Sequence, residues 1–304
     1  MAVTSKRNVA VIGNGLMGSA IARAFARSGR TVVAFDPNVS RARELAAEVP
    51  GIAAEETVEA AVRSADLILT CAPTYDAVLK SLEGVDSWSG KILVNTGTSS
   101  PEESEAAGAW AAEKGVPYLD AAILCFPQDI GTERAYLLFA GDPEVWTRNE
   151  ETFAALGPAV RFVSEQVQAA SAVDLTVVGG VYTAALAAYV DAIAFARSQG
   201  VRGSVLEEVT GRVLVALQDG ATEAVRALNS GDFTTSQATL SVFAHGGQTC
   251  LEGMRRAGFA ANVMEAAVRN LQAAEAAGWG ESSFYALAQV SGAEGTGRSS
   301  HSEG

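Results

Sequence analysis

Two short apolar runs near the start of the chain flank a glycine turn, and no other feature constrains the fold as strongly. The first run, Val9–Ile12, continues directly into the sequence Gly-Asn-Gly-Leu-Met-Gly at 13–18, and the second run ends at Asp36. Such glycines let the backbone approach a pyrophosphate, which then lies at the N-terminus of the following helix. The acid after the second run can accept hydrogen bonds from an adenosine ribose. The sequence therefore predicts a dinucleotide-binding half.

The residues predicted to contact the dinucleotide are those of the turn and the acid that follows. They are Gly13, Asn14, Gly15, Leu16, Met17, Gly18 and Asp36.

The composition argues against several other classes of protein. The chain has 304 residues, 48% of them hydrophobic, and a net charge of −13, which disfavours binding to nucleic acid or to an anionic membrane. No uncharged apolar stretch reaches the ~20 residues of a membrane-spanning helix, and the polar residues 1–8 do not resemble a signal peptide. Three dispersed cysteines and a single histidine before the tail argue against a disulfide framework and a metal site. We expect a cytoplasmic protein.

Strand-like and helix-like segments alternate through the first half of the chain. Strand-like runs at 8–13, 31–36, 66–71 and 91–95 alternate with helix-like stretches, which predicts parallel strands joined by crossover helices in a Rossmann domain. A weaker strand-like run lies at 117–120, and two more strand-like runs follow at 135–140 and 159–163. The predicted divisions are a dinucleotide-binding domain at 1–165, an interdomain helix at 166–199, a helical dimerisation or substrate domain at 200–290 and a disordered tail at 291–304.

The second half of the chain is predicted to be helical throughout. The Ala-rich segment 166–199 contains no proline and is interrupted only by Gly179-Gly180. We expect further breaks between helices at Gly220 and at Gly246-Gly247, among other glycines. A long apolar helix is rarely left uncovered, so a domain-swapped homodimer is expected, in which one subunit wraps around the connecting helix of the other.

Four segments give the chain its resemblance to a known family. They are the glycine turn at 11–18, the run Val-Asn-Thr-Gly-Thr-Ser-Ser-Pro at 94–101, the segment 118–132 with its Pro-Gln-Asp-Ile-Gly-Thr ending, and the start of the long helix at 173–182. Together they resemble the β-hydroxyacid dehydrogenase superfamily, which is 6-phosphogluconate dehydrogenase-like, and within it the imine reductases and reductive aminases. The resemblance covers nearly the whole chain.

The absence of lysine from the second half bears on the reaction. The hydroxyacid dehydrogenases use a lysine at the start of the connecting helix, whereas the last lysine of this chain is Lys114. By resemblance Asp174 lies in that region, where imine reductases commonly carry Asp or Tyr. A carboxylate stabilises the cationic iminium that accepts hydride, and with a raised pKa it can also deliver a proton.

The resemblance implies further site residues. Tyr182, eight positions after Asp174, is either a hydrogen-bonding partner of the substrate or a core tyrosine, and Thr98 occupies a polar position facing nicotinamide and substrate. The implied pocket residues are Ile123, Phe126 and Phe243, and the further cofactor contacts are Asn38, Arg41, Cys71, Ala72, Pro73, Asn95 and Thr96.

The cofactor is either NADPH or NADH. The family mostly uses NADPH, but Asp36 stands where its members hold the 2′-phosphate, and a carboxylate there favours a free 2′-hydroxyl. Arg41 can still reach a phosphate, and the balance leans slightly towards acceptance of NADH.

The predicted function is reduction of a C=N bond in a small cyclic or preformed imine, with Asp174, Tyr182 and Thr98 as the candidate catalytic residues. The alternatives are a carbonyl reductase of the β-hydroxyacid dehydrogenase type and a non-catalytic dinucleotide-binding protein.

Overall fold

The computed structural model describes residues 8–72 and 74–292. The chain divides into two compact units, Met1–Tyr182 and Thr183–Gly304. Pro73 and nearly all of the tail predicted at 291–304 lie outside the described residues. The domain divisions predicted from sequence stay predictions.

The first unit is built on one sheet whose order places a crevice at its centre. Among the described residues the sheet has eight strands in the order β3-β2-β1-β4-β5-β6-β7-β8. Six of them follow the 3-2-1-4-5-6 order of doubly wound dinucleotide-binding folds. The strands are β1 (Val9–Ile12), β2 (Val32–Phe35), β3 (Ile52–Ala54), β4 (Leu67–Thr70), β5 (Ile92–Asn95), β6 (Tyr118–Ile123), β7 (Tyr136–Gly141) and β8 (Ala159–Ser164).

The central strands are apolar on both faces because helices cover both sides of the sheet. All four residues of β1, β2, β4 and β5 are buried, as expected of parallel strands. The predicted parallel arrangement is confirmed for β1 to β6, whereas β7 runs antiparallel to β6. β3 is not among the strands predicted from the sequence, because its three residues are too few to give a recognisable apolar run.

The helices of the first unit lie where the alternation predicts them. Residues that favour helix N-termini cap two of these helices. Ser100 and Glu103 form a reciprocal capping box at the start of the fifth helix, and Asp142 caps the sixth. The helices are α1 (Leu16–Arg27), α2 (Val39–Glu48), α3 (Val58–Arg63), α4 (Tyr75–Leu82), α5 (Pro101–Glu113), α6 (Pro143–Phe153) and α7 (Ala169–Val173), with 3₁₀ turns at Pro127–Asp129 and Ala154–Leu156.

The long helix predicted at 166–199 forms, but part of it has wider turns than an α-helix. α7 continues into a π-helix at Asp174–Tyr182 and then into α8 (Thr183–Ser198). Gly179-Gly180 lies inside the π segment, and a Cβ added at either glycine would make only ordinary contact with the carbonyl five residues earlier. π segments are rare and frequently occur at functional sites.

The second unit is helical throughout its described part. It contains α9 (Gly203–Ser230), α10 (Leu240–Arg256), α11 (Asn262–Ala274), a π turn at Glu275–Trp279 and a 3₁₀ helix at Phe284–Gln289.

Two of the predicted helix breaks in the second unit are wrong. Gly220 lies inside α9, and Gly246-Gly247 lies inside α10. A helix interior tolerates glycine at a cost of about 1 kcal/mol. At Gly247 the packing uses the missing side chain, since an added Cβ would lie 3.1 Å from Val268 on α11.

The long helix is apolar and exposed in the isolated chain. Ala169–Ser198 has a mean hydropathy of 1.6 in its most apolar part, none of which is buried, so it is long and apolar enough to cross a membrane by length and composition. Asp174 and Asp191 interrupt the uncharged run on which the sequence analysis relied. One helix therefore qualifies by this broader criterion although no uncharged run reaches ~20 residues, and the expectation of no membrane partner stays a prediction.

Candidate active site

A cavity of about 310 Å³ opens at the carboxyl edge of the sheet. In doubly wound folds ligands bind at this edge, where the strand order reverses. The cavity is lined by Gly15, Leu16, Met17, Gly18, Cys71, Ala72, Thr96, Gly97, Thr98, Ala121, Ile123 and Asp174. Residues from the glycine turn, from three further strand ends and from the π-helix therefore share one cavity.

The glycine turn is shaped by close backbone approaches. Gly13 has a φ of 95°, and an added Cβ would lie 2.3 Å from the carbonyl oxygen of Cys71. A Cβ on Gly18 would lie 1.8 Å from the carbonyl oxygen of Gly13. At Gly15 an added Cβ would meet nothing within 4 Å, so this glycine is open towards the cavity. The fold itself requires the first and last glycines of the turn.

The start of α1 suits an anionic ligand. Its N-cap residue is Gly15, no side chain caps the helix, and its first turn carries no acid. The unpaired amides of such a terminus bind a pyrophosphate. The turn therefore fits the dinucleotide that the sequence predicts.

Two glycines of this turn should respond differently to replacement by alanine. Gly18→Ala should lower the free energy of unfolding by about 2 to 4 kcal/mol, because Cβ overlaps backbone that cannot move aside. Gly15→Ala should change it by less than about 1 kcal/mol but weaken dinucleotide binding at least tenfold, since the methyl group would occupy the path of the pyrophosphate. Denaturant unfolding and a binding titration measure both. Equal losses of stability in the two variants would contradict this assignment.

A second cavity, of about 360 Å³, lies beside Asp36. The Asp36 carboxylate is buried and accepts hydrogen bonds from the backbone amides of Asn14 at 2.7 Å and Asn38 at 2.8 Å. The guanidinium of Arg41 lies 3.8 Å from the same carboxylate and is 56% exposed. Asp36 would repel a 2′-phosphate, whereas Arg41 can turn towards one. Both residues line the cavity.

Asp174 is the acid of the first cavity. It is half-buried, and burial raises its pKa above the ordinary value, while a hydrogen bond from the Thr98 side chain partly offsets that rise. The structure thus brings Asp174, Thr98 and Ile123 together.

Other predicted site residues lie outside this cavity. Tyr182 is 56% exposed at the end of the π-helix, and Phe126 is 59% exposed before the 3₁₀ turn at Pro127–Asp129. Phe243, on α10 of the second unit, packs against Phe284 with ring centroids 5.1 Å apart. Their roles stay predictions. α-Helical geometry predicts that Tyr182 lies about 12 Å along the axis from Asp174 and about 80° around it. That geometry does not apply here, because Asp174–Tyr182 is a π-helix.

Asp120, on β6, is a buried acid that the motifs of the sequence do not predict as part of the site. Strand register places Thr70, Asn95 and Asp120 side by side on β4, β5 and β6. The Asp120 carboxylate is buried and accepts hydrogen bonds from Asn95 at 3.1 Å, Ser104 at 3.0 Å and Tyr118 at 3.2 Å. Burial raises the pKa of Asp120 to about 6, although the three hydrogen bonds lower it, and the charge of Asp174 adds to the rise.

This raised pKa predicts a pH-dependent contribution to stability. The folded protein binds the Asp120 proton more tightly than the unfolded chain, so the contribution is fully present below about pH 4 and is lost as pH rises through about 6. The free energy of unfolding of the wild type, minus that of Asp120→Asn, should fall by about 2 to 3 kcal/mol between pH 4 and pH 7. Urea unfolding at a series of pH values measures it, and a pH-independent difference would contradict the assignment.

Two family models together match nearly the whole chain. The model for the NAD binding domain of 6-phosphogluconate dehydrogenase matches residues 8–164, more than half of the chain. The model for the C-terminal domain of NADPH-dependent reductive aminase-like proteins matches residues 166–293.

Individual proteins agree with these models. An NADPH-dependent reductive aminase from Aspergillus oryzae is 24% identical over 178 residues, which cover 58% of this chain and 59% of that protein. The structure of an imine reductase from Pseudomonas sp. is 25% identical, with a TM-score of 0.86 over 94% of this chain and 99% of the other. An imine reductase from Myxococcus stipitatus in complex with NADP⁺ is 26% identical, with a TM-score of 0.85 over 93% and 99%.

The predicted resemblance is therefore confirmed over both halves of the chain. The chain belongs to the family of oxidoreductases built on the NAD-binding domain of 6-phosphogluconate dehydrogenase, with a C-terminal domain of the reductive aminase-like type.

Proposed function

We propose that this protein is an NAD(P)H-dependent imine reductase that acts on a small cyclic or preformed C=N substrate. The observation that carries the proposal is the half-buried carboxyl of Asp174 in the central cavity. The chain has no lysine after Lys114, so the long helix has no amine to handle an alcohol proton.

The chemistry of the cavity suits a cation. When bound, a reduced nicotinamide supplies a hydride to the imine carbon, and the electron pair of the C=N bond then resides on nitrogen. Asp174 as a carboxylate stabilises an iminium before transfer. Asp174 as a protonated acid gives its proton to the nitrogen of a neutral imine, and the raised pKa favours that form. Ile123 and Ala121 offer the substrate an apolar wall.

We further propose that the active form is a domain-swapped homodimer in the cytoplasm. Val205, Val209, Val213 and Leu217 recur every four residues along α9, and all four are exposed in the isolated chain. An apolar stripe of this length is normally covered by a partner. The α8 surface with its exposed Leu186 is a second such face.

The dimer makes its own prediction. Light scattering after size exclusion should give twice the chain mass of 31.3 kDa. Replacing Val213 and Leu217 together with glutamate should produce a monomer, because two charges would have to be buried in an apolar interface. Replacement of the exposed Glu208 on the same helix with glutamine is the control. A monomeric wild type would contradict the dimer.

One assay tests the proposed function against its alternatives. Purified protein is mixed with NADH or NADPH and a panel of cyclic imines beside short β-hydroxyacids with NAD⁺ or NADP⁺. Oxidation of the reduced cofactor with 1-pyrroline or dihydroisoquinoline supports imine reduction. Activity confined to the hydroxyacids, or tight dinucleotide binding without turnover of any compound, would contradict it.

A further inference from the structure

Asp120 takes no direct part in the chemistry proposed above, yet its position is costly. It is 1% exposed, and no basic side chain in the described part of the chain contributes to the shift of its pKa. A buried carboxylate without a cation is unfavourable, whereas an amide of nearly the same shape carries no such penalty. Asn95, Ser104 and Tyr118 all donate to this carboxylate, and as an acceptor-only group it satisfies all three. Through these hydrogen bonds Asp120 is connected to the cavity that holds Asp174.

The first connection from Asp120 leads to the turn that lines the cavity. Its carboxylate holds the side-chain amide nitrogen of Asn95, and the amide oxygen of Asn95 accepts a hydrogen bond from the backbone of Gly97 at 3.1 Å. A Cβ on Gly97 would lie 2.6 Å from the carbonyl oxygen of Ala72, so the turn has no room to shift in that direction. Thr98, the next residue, faces Asp174.

The second connection leads to the helix that carries Asp174. The hydroxyl of Ser104 on α5 lies 3.0 Å from the other carboxylate oxygen of Asp120 and 2.7 Å from the hydroxyl of Ser171. Ser171 is buried and precedes Asp174 by three residues, one turn along the helix. Asp120 is thus connected both to the turn after β5 and to the helix that carries Asp174, and both segments line the cavity.

The third connection is electrostatic. Burial is the main cause of the raised pKa values of Tyr118, on the same strand, and of Tyr75, on α4. The charge of Asp120 adds to both rises, and that of Glu103 adds to the rise for Tyr75. The pKa values of both tyrosines are raised, that of Tyr75 to about 12, so both stay neutral. Asp174 is the other acid in this network, and its charge adds to the burial that raises the pKa of Asp120. Because repulsion between two charges is mutual, the charge of Asp120 in turn opposes ionisation of Asp174.

We propose that Asp120 is a positioning residue for imine reduction: its carboxylate fixes the Thr96–Thr98 turn and the start of the Asp174 helix to one anchor, and its negative charge acts on the Asp174 carboxyl. The proposal rests on the proposed function. It assigns to Asp120 no contact with substrate or cofactor.

The test uses the pH profile of the full-length enzyme with a cyclic imine. Removing a neighbouring negative charge lowers the pKa of an acid. The relevant limb of the kcat/KM profile is the one that disappears in Asp174→Asn. In Asp120→Asn this limb should lie at least half a pH unit lower than in the wild type, whichever protonation state of Asp174 is active. kcat should fall at least tenfold near pH 8, while the dissociation constant of the dinucleotide stays within twofold.

A second variant separates the anchor from the charge. Ser104→Ala cuts the connection to Ser171 but keeps the Asp120 carboxylate, so kcat should fall several-fold while the limb stays in place. A limb that does not move in Asp120→Asn overturns the proposal, even if kcat falls. A wild type inactive on every imine overturns the proposed function instead.

A measurement on the wild type covers the case in which Asp120→Asn does not fold. The ¹³C carboxyl shifts of Asp120 and Asp174 should each show two inflections with pH, because coupled acids share their titration steps. Two independent single-step titrations would overturn the proposal.

Discussion

Replacing Asp174 with asparagine should lower kcat for a cyclic imine by at least about 100-fold, the scale of a lost general acid or a lost electrostatic stabiliser. Asparagine keeps the shape of the side chain but can neither carry the charge that balances an iminium nor deliver a proton at neutral pH. The dissociation constant of the dinucleotide should stay within about threefold, since the glycine turn and the Asp36 cavity are untouched. Single-turnover kinetics and a fluorescence titration measure the two quantities separately.

A matched control excludes a general effect of removing acidic charge. Glu165→Gln removes an exposed acid shortly before the same helix and should retain kcat within about twofold. If Asp174→Asn kept wild-type kcat, the cavity would not use its carboxyl, and the reaction would have to rely on other groups. A loss shared equally by both variants would point to the overall charge of the protein rather than to the site.

Replacing Asp36 with asparagine should shift cofactor preference towards NADPH, raising the kcat/KM for NADPH relative to NADH at least tenfold. The wild type places a buried carboxylate, held by two backbone amides, beside the cavity at the end of β2. A 2′-phosphate beside that carboxylate suffers like-charge repulsion, and tenfold corresponds to only about 1.4 kcal/mol. Initial rates with both cofactors at fixed imine concentration give the ratio.

Arg41 supplies the opposing control. Arg41→Gln should reduce the kcat/KM for NADPH several-fold and leave that for NADH nearly unchanged, because a free 2′-hydroxyl needs no cation. Arg41 lies 3.8 Å from Asp36 in the present structure, so the two variants change adjacent groups of opposite sign. An Asp36→Asn enzyme with an unchanged cofactor ratio would show that the acid does not discriminate. The wild type should use NADH at least as efficiently as NADPH.

Most of the fold was predictable because it is encoded locally. Apolar runs such as Val9–Ile12, each followed by a turn and an amphipathic stretch, specify the strands and crossover helices in order. Three features were not predictable in this way: the three-residue strand Ile52–Ala54, the reversed direction of β7, and the continuation of helices through Gly220 and Gly247. Each depends on contacts with neighbouring elements, which local propensity does not contain.

The residues of the candidate site also differ in whether local sequence predicts them. The glycine turn and Asp36 follow from a motif with a required spacing, and the resemblance supplied Asp174 and Thr98, which the structure brings into one cavity. Asp120 was missed because two of its three hydrogen-bond partners, Asn95 and Ser104, come from other elements and meet it only through strand register and helix packing. One signal was present: an acid in the otherwise apolar stretch around β6, Leu119 to Ala122. A charge in a buried strand warrants a search for its partners.

The fate of the hydride shows whether this protein reduces a C=N bond. The enzyme is supplied with a reduced dinucleotide carrying deuterium at both C4 positions and with unlabelled 1-pyrroline in ordinary water. We expect pyrrolidine with a single deuterium on the former imine carbon, formed in equal amount to the cofactor oxidised, and almost none with Asp174→Asn. Unlabelled pyrrolidine, or oxidation of the cofactor without formation of the amine, would contradict it.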